Sequence, residues 1–555
     1  MHVELAATTP ARSDAAAVAV PDRRRRFDPF EAWMLALFAA ISVWVLGFDL
    51  FQVVVHGRVW TGTDGMFLVD QMQYLAWIQS ASHHFLSANL FVLHPTPADY
   101  FQPAIAISGG LTALGMAPWL ALLLWKPVAV LSFFLVIRHY IHRSVDALWA
   151  RRTALALTLF FGSFTVVYGN FGVLGDLFPG FLSWGYVFAL LALAAIIGAL
   201  LRYATAWREH RVTWLPGLLG AGATLLHPWH GELLILTLIG AELFAGRVRG
   251  QLRQRLPLPA LTIVLTALPL LYYAALGRFD TSWHLARDAS KHTYPLWSLL
   301  LALLPLLIPA VLGYRTRATS FIAAATRAWP LAALVLFFLS ASALGATPLH
   351  AFQGVTLPLS LLAIEGLRRS GVAGRLRRPR LVGILAVLLV TVPTTLYELG
   401  HAADLLTPDP QNSTFIARDE QRALQDLAKN PQPGGVFTRS YLGAIVPAKT
   451  GRRVYVGDCL WSQPNCYGRV GAAQELFSGT MPDEAARTLI RQSGARFVLA
   501  DCQSPVDLDR VLGTMAADVR RFGCARIYEL TSPSRPSGPL AESPRDAAVR
   551  ATRRQ

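Results

Sequence analysis

The chain has 555 residues, of which 54% are hydrophobic and only 15% charged, and its mean hydropathy is +0.41. A soluble domain carries about 25% charged residues, so these figures exclude a soluble globular protein and predict one that crosses a membrane many times. The formal charge of +16 is not the footprint of a nucleic-acid binder, because nearly all the basic residues are arginines in short loops between apolar runs, where charge sets membrane orientation.

Residues 1–28 are rich in Ala, Asp and Arg and read as a disordered cytoplasmic segment. Arg23 to Arg26 precede an apolar run over about 33–54 that lacks a small-residue cleavage site. It is long enough to span a bilayer, which predicts a first transmembrane helix and not a cleaved signal peptide. A long loop over 56–117 follows. Its centre, WTGTDGMFLVDQMQYLAWIQSASHHFLSANLFVL, is too polar to span a bilayer and too apolar for a free loop. Phe67, Met72, Leu75 and Ile78 recur at helical spacing, which predicts a helix lying on the membrane surface. Further spans are expected near 118–138, 153–170, 181–201, 213–226, 230–246, 258–277, 295–314, 329–346, 351–367 and 381–399. That makes about eleven spans of about 20 residues, in a transmembrane domain over 29–400.

Arginines crowd alternate loops: Arg138 to Arg152, Arg202 to Arg211, Arg247 to Arg255, Arg315 to Arg327 and Arg368 to Arg380. The intervening loops hold the acids Asp64, Asp70, Asp99, Asp176, Asp280 and Asp288. This asymmetry places the N-terminus in the cytoplasm and the Asp70 loop outside. An odd number of spans sends residues 401–530 outside as well.

That last region balances its charges. GGVFTR, RRVYVGD, ARFVLAD and CARIYEL read as strands, and PDEAARTLIRQSG as a helix opened by Pro482 and Asp483 and closed by Gly494. DLDRVLGTMAADVRRFG reads as a second helix. Alternating strands and helices predict a small α/β domain with a partly parallel sheet. Residues 531–555 read as a disordered tail. All four cysteines lie in this region. Outside the cytoplasm disulfides are permitted, and of the three pairings that four cysteines allow, the simplest joins Cys459 to Cys466 and Cys502 to Cys524. Free thiols and a zinc site are the alternatives, although the spacing lacks a CxxC pair.

Asp70 opens DQMQY, and Tyr74 lies one helical turn on along the same face. Asp64 sits in the turn sequence TGTDG and also reads as a simple turn or cap. The layout resembles the GT-C glycosyltransferases: a cytoplasmic N-terminus, a first helix, a long external loop with an acidic motif, many helices and an external C-terminal domain. Members of the protein mannosyltransferase and aminoarabinose transferase type carry DExxY in that loop. Asp70-Gln71-Met72-Gln73-Tyr74 matches its Asp and Tyr, with Gln71 where the second acid stands. That departure bears on any role needing adjacent carboxylates, divalent-metal binding among them. FSGTMPDEAARTLIRQSGARFVLAD looks like the C-terminal domain of bacterial members.

The resemblance implies transfer of a sugar from a polyprenyl-phosphate carrier to a glycan or protein acceptor outside the membrane. It casts Asp70 as the base or acceptor-orienting group and Asp176, in the second external loop, as its helper. No protein cofactor is implied, and a divalent metal is optional. Lys126, Arg287 and Lys291 are candidate contacts for the leaving phosphate; Lys126 could equally snorkel to the surface. His227, His230 and Glu232, in LLHPWHGE, form a tight turn that borders the cavity or simply solvates the interface. His350 and Gln353 are further candidates. The chain holds no P-loop, no GxGxxG after a strand, no HExxH and no GxSxG elbow, which disfavours nucleotide-driven chemistry. A transporter or a non-catalytic relative are the competing readings; no internal repeat of the kind common in transporters is visible.

Overall fold

The computed structural model describes residues 27–63, 67–162, 177–245, 256–291, 294–339, 348–371, 377–405 and 413–531. The chain opens with α1 (Pro29–Ser42), whose N-terminus is closed by a capping box: Asp28 takes the Phe30 N–H and Glu31 takes the Asp28 N–H. After a 44° bend, α2 (Trp44–His56) completes the first apolar pair. Strand β1 (Val59–Trp60) leads into α3 (Leu68–His84), the strands β2 (Ser87–Ala88) and β3 (Ala98–Tyr100), and α4 (Pro103–Ala113). Then come α5 (Pro118–Leu123), α6 (Trp125–Ser144), α7 (Leu148–Phe160), α8 (Pro179–Leu182), α9 (Val187–Arg208), α10 (Leu215–Leu226), α11 (Pro228–Phe244), α12 (Pro257–Phe279) and α13 (Thr281–Ala289). The helical part ends with α14 (Leu296–Gly313), α15 (Phe321–Leu339), a 3₁₀ turn at Pro348–Phe352, α16 (Thr356–Ser370) and α17 (Pro379–Leu405).

Among the described residues, six helices are long and apolar enough to cross a membrane, or seven if the bent α1–α2 pair is one span. The shorter α7, α10, α11 and α16 fall where the remaining spans were expected. The protein is thus a polytopic helical membrane protein with an α/β domain at its C-terminus.

The C-terminal region contains β4 (Phe415–Ile416), α18 (Arg418–Lys429), β5 (Val436–Phe437), α19 (Ser440–Thr450), α20 (Cys466–Ser478), α21 (Asp483–Ser493), β6 (Phe497–Ala500), α22 (Leu508–Leu512), β7 (Ala516–Phe522) and β8 (Ala525–Leu530). Its sheet has the order β5-β6-β8-β7, with β5 and β6 parallel and the other pairs antiparallel. The side-chain alternation of strands divides its faces. Val436, Phe497, Leu499 and Ile527 join the core continuous with the membrane helices, while Phe437, Val498 and Tyr528 join a second core under α20 and α21. β1 pairs antiparallel with β4, which stitches the first loop to this domain.

Three expectations need correction. α3 is not a surface helix: Gln71, Met72, Gln73, Leu75, Trp77 and Ile78 are all buried, because α4 and α19 cover it. Its polar groups are satisfied locally, as where the Ser80 hydroxyl accepts the Ala88 N–H at 3.0 Å. The segment expected to form one helix over DLDRVLGTMAADVRRFG splits. Gly513, at a φ of +49°, ends α22 after one turn, and the remainder becomes β7, which turns back through Gly523 (φ +70°) into β8. RRVYVGD contributes only an isolated bridge from Val454 to Val436.

Candidate active site

Asp70 stands in the first turn of α3, where the helix dipole favours a carboxylate. The Tyr186 hydroxyl donates to Asp70 Oδ2 at 3.0 Å. Gly185 makes that approach feasible. Its φ is +132°, and a Cβ there would lie 2.9 Å from Gln71 Nε2 and 3.1 Å from Phe67 Cβ. The Phe67 and Tyr186 rings sit 4.0 Å apart. Gln71, 1% exposed, therefore fills the contact between α3 and the Gly185 backbone. Tyr74 packs edge-on against Phe188 at 4.9 Å. Burial, and then the nearby charge of Asp70, hold its phenol protonated.

A second carboxylate, in the C-terminal domain, lies within electrostatic range of Asp70. Asp458 is 2% exposed, its Oδ1 accepts the Leu460 N–H at 2.8 Å, and its Oδ2 is buried without a hydrogen bond among the described residues. Burial pushes its carboxyl up to about 7 against the lowering effect of the Leu460 N–H, and the like charge of Asp70 adds a smaller push. Beside it Trp461 closes an aromatic cluster with Trp77 (5.3 Å) and Trp283 (4.8 Å). The cluster ties α3 and α13 to the C-terminal domain.

Another acid pair lies on the same side of the molecule. Asp280 caps α13 by accepting the Ser282 N–H at 2.6 Å. Its like charge acts on Asp99, whose carboxyl is raised to about 6, mainly by burial and then by Asp280. The histidines converge too. His227 Nδ1 and His230 Nδ1 are 2.8 Å apart. The His350 ring lies 4.9 Å from His227, 5.0 Å from Trp229 and 6.0 Å from Tyr186.

Other expected residues are engaged in contacts of their own. Lys126, 5% exposed, donates from Nζ to the Ser42 and Ser183 carbonyls, each at 2.7 Å. Those carbonyls end α1 and cap α8, so this ammonium serves helix-end acceptors with no partner of their own along the helix. Lys291 pairs with Asp288 at 2.8 Å, and Arg287 contacts His284 at 3.2 Å, both on the exposed face of α13. Asp64 and Asp176 lie outside the described residues, as do 1–26 and 532–555. Cys459 is bonded to Cys466 and Cys502 to Cys524. Among the described residues the one three-member group with metal-ligand spacing is Asp419, Cys502 and Cys524. Its sulfurs are bonded to each other, so it does not suit a metal. The Asp70–Asp458 and Asp99–Asp280 pairs could each offer carboxylate oxygens to a divalent cation, but neither forms such a group.

Tyr186 and Asp458 were not among the sequence candidates. Asp458 gives a faint signal, as an acid in the otherwise apolar run VYVGDCLW; Tyr186, in SWGYVF, gives none beyond the preceding glycine.

No protein-family model and no curated protein matches the chain. Solved structures do match it. ArnT from Cupriavidus metallidurans in the apo state has 13% identity and a TM-score of 0.51 over 90% of this chain and 97% of that one. The Archaeoglobus fulgidus oligosaccharyltransferase has 14% identity and a TM-score of 0.47 over 85% and 70%. Arabinosyltransferase EmbB from Mycobacterium smegmatis has 16% identity and a TM-score of 0.41 over 64% and 32%. The chain has the GT-C fold. Within that fold it shares the arrangement of ArnT through nearly the whole of both chains.

Proposed function

We propose that this protein is a membrane glycosyltransferase that moves a sugar from a polyprenyl-phosphate carrier to a cell-envelope acceptor. The observation that carries this reading is Asp70, held by the Tyr186 hydroxyl and within electrostatic range of the buried Asp458, in the first long loop of a GT-C fold. Asp70 accepts the proton of the acceptor hydroxyl as its oxygen attacks the anomeric carbon. The bond from that carbon to the phosphate oxygen breaks, and its electron pair leaves with the phosphate. Tyr186 holds the carboxylate in place for the attack, so orientation is set before the substrate arrives. Asp458, poised to be protonated near neutral pH, limits the negative charge added near Asp70. His227, His230, His350 and Trp229 form an aromatic wall that meets Tyr186 through His350.

In this reading the protein sits in the cytoplasmic membrane with α3 and the C-terminal domain on the outer face. A polyprenyl-phosphate sugar suits that side, because its phosphate is already the leaving group and no nucleotide is needed. Asp64 and Asp176 remain proposed contributors from the two outer loops. Arg287 and Lys291, engaged on their own helix, are given no part. The test is mass spectrometry of cell-envelope glycans from cells carrying the wild type, no protein, or Asp70→Asn at matched expression. The expected result is loss of one glycan modification in the last two. A full complement of product from Asp70→Asn would refute the assignment, and substrate flux in proteoliposomes without covalent product would favour a transporter.

A further inference from the structure

A groove of about 670 Å³ lies between α6 and α9, at the ends of these helices remote from Asp70. The two helices run in the same direction: Lys126, at the start of α6, bonds Ser183 just before α9, and Arg143 and Arg202, near their far ends, line the groove together. Tyr186 immediately precedes α9, so Arg202 lies roughly 24 Å along the helix axis from the Asp70 site, at about 1.5 Å per residue. This is a different place from the proposed sugar-transfer site, and the inference stands without that reading.

The groove is amphipathic along its length. Leu135 and Leu191 line its apolar stretch, and Gly198 leaves its floor open, since a Cβ there would meet only Leu219 Cδ1, at 3.7 Å. His139, Arg143 and Arg202 gather at the other end. No carboxylate lines it. The contrast with neighbouring cations is direct: Arg138 is paired to Glu31 and Arg152 to Asp28, each at 2.7 Å. Arg143 instead donates to Thr205 Oγ1 at 2.9 Å, and among the described residues neither it nor Arg202 makes an ion pair. Orientation signals need positive charge near the membrane, but not charge gathered at the mouth of an apolar groove. Basic pockets between membrane helices bind anionic head groups, and the apolar stretch fits the start of an acyl chain.

We propose that this groove holds one anionic phospholipid of the adjacent leaflet, with its phosphate on Arg143 and Arg202 and its chain along Leu135 and Leu191, bracing α6 against α9. The full-length protein is purified in mild detergent, and the probes are phosphatidylglycerol and phosphatidylcholine, read by native mass spectrometry and thermal unfolding. Phosphatidylglycerol should remain bound and raise Tm where phosphatidylcholine does not. Arg143→Gln with Arg202→Gln should weaken retention about tenfold or more. The control Arg151→Gln with Arg211→Gln, which removes the same charge outside the groove, should retain it. Gly198→Leu, which fills the floor and leaves the charge unchanged, should also lose the lipid, and it keeps the test decisive if the double variant does not fold. No preference between the two lipids, retention in both groove variants, or equal stabilisation by inorganic phosphate alone would overturn the assignment.

Discussion

Replacing Asp458 with Asn tests the buried acid pair without a substrate. Asp458 is 2% exposed, and its carboxyl is raised from the ordinary 3.8 to about 7, first by burial and then by the charge of Asp70. The folded state therefore holds this proton more tightly than the unfolded chain does. Its stabilising effect is complete below pH 3.8 and is lost as pH rises through 7. At about 1.4 kcal/mol per pH unit, the loss between pH 5 and 7 is about 3 kcal/mol. Asn is neutral throughout and has nearly the same shape, so it removes the slope. Thermal unfolding of the detergent-solubilised protein from pH 5 to 8 checks this. The Tm of the wild type should fall by about 2–3 °C more than that of Asp458→Asn, with the two nearest each other at the acid end. Adding Asp70→Asn to the wild type should flatten its slope in part, because that charge is one of the causes. Parallel curves for wild type and Asp458→Asn would refute the placement of Asp458 as a buried acid whose proton the fold retains.

Tyr186→Phe removes a hydrogen bond to a charged group, worth about 1.5–3 kcal/mol, and should lower kcat/KM about 10–100-fold. The acid limb of the pH–rate profile should move to higher pH, a shift that a purely structural role would not produce. Lys126→Met should lower folded yield and Tm, by about 2–4 kcal/mol for two helix-end carbonyls left without their donor, while KM for the lipid donor stays unchanged; a raised KM would return Lys126 to the phosphate site. Arg287→Ala and Lys291→Ala, in exposed contacts of low value, should change stability by no more than about 1 kcal/mol and leave KM unaltered.

What the sequence made legible follows from the range of the forces involved. Composition and hydropathy act along the chain, so the membrane class and the arginine-rich loops could be read from it. So could α21, bounded by Pro482 and Gly494, and the strands β5, β6 and β8. α3 misled because helical spacing reports that a face is apolar but not what covers it: here α4 and α19, not lipid. β7 misled because its helix-like spacing is overridden by the β8 partner and by Gly513. The contacts of Lys126 could not be read, because the bend after Ser42 and the end of α8 create the carbonyls it serves. Asp70 was readable as a local anomaly, an acid in a scarce-charge loop. Its partners were not, because Tyr186 and Asp458 come from distant segments and meet it only through Gly185 and the domain stitched on by β1 and β4. The DExxY motif supplies its second acid from the next residue. Here that residue is Gln71, packed against Gly185, and the acid that feels the charge of Asp70 is Asp458, in the C-terminal domain. A glutamine that reads in one dimension only as a missing carboxylate serves in three to pack α3 on the Gly185 backbone.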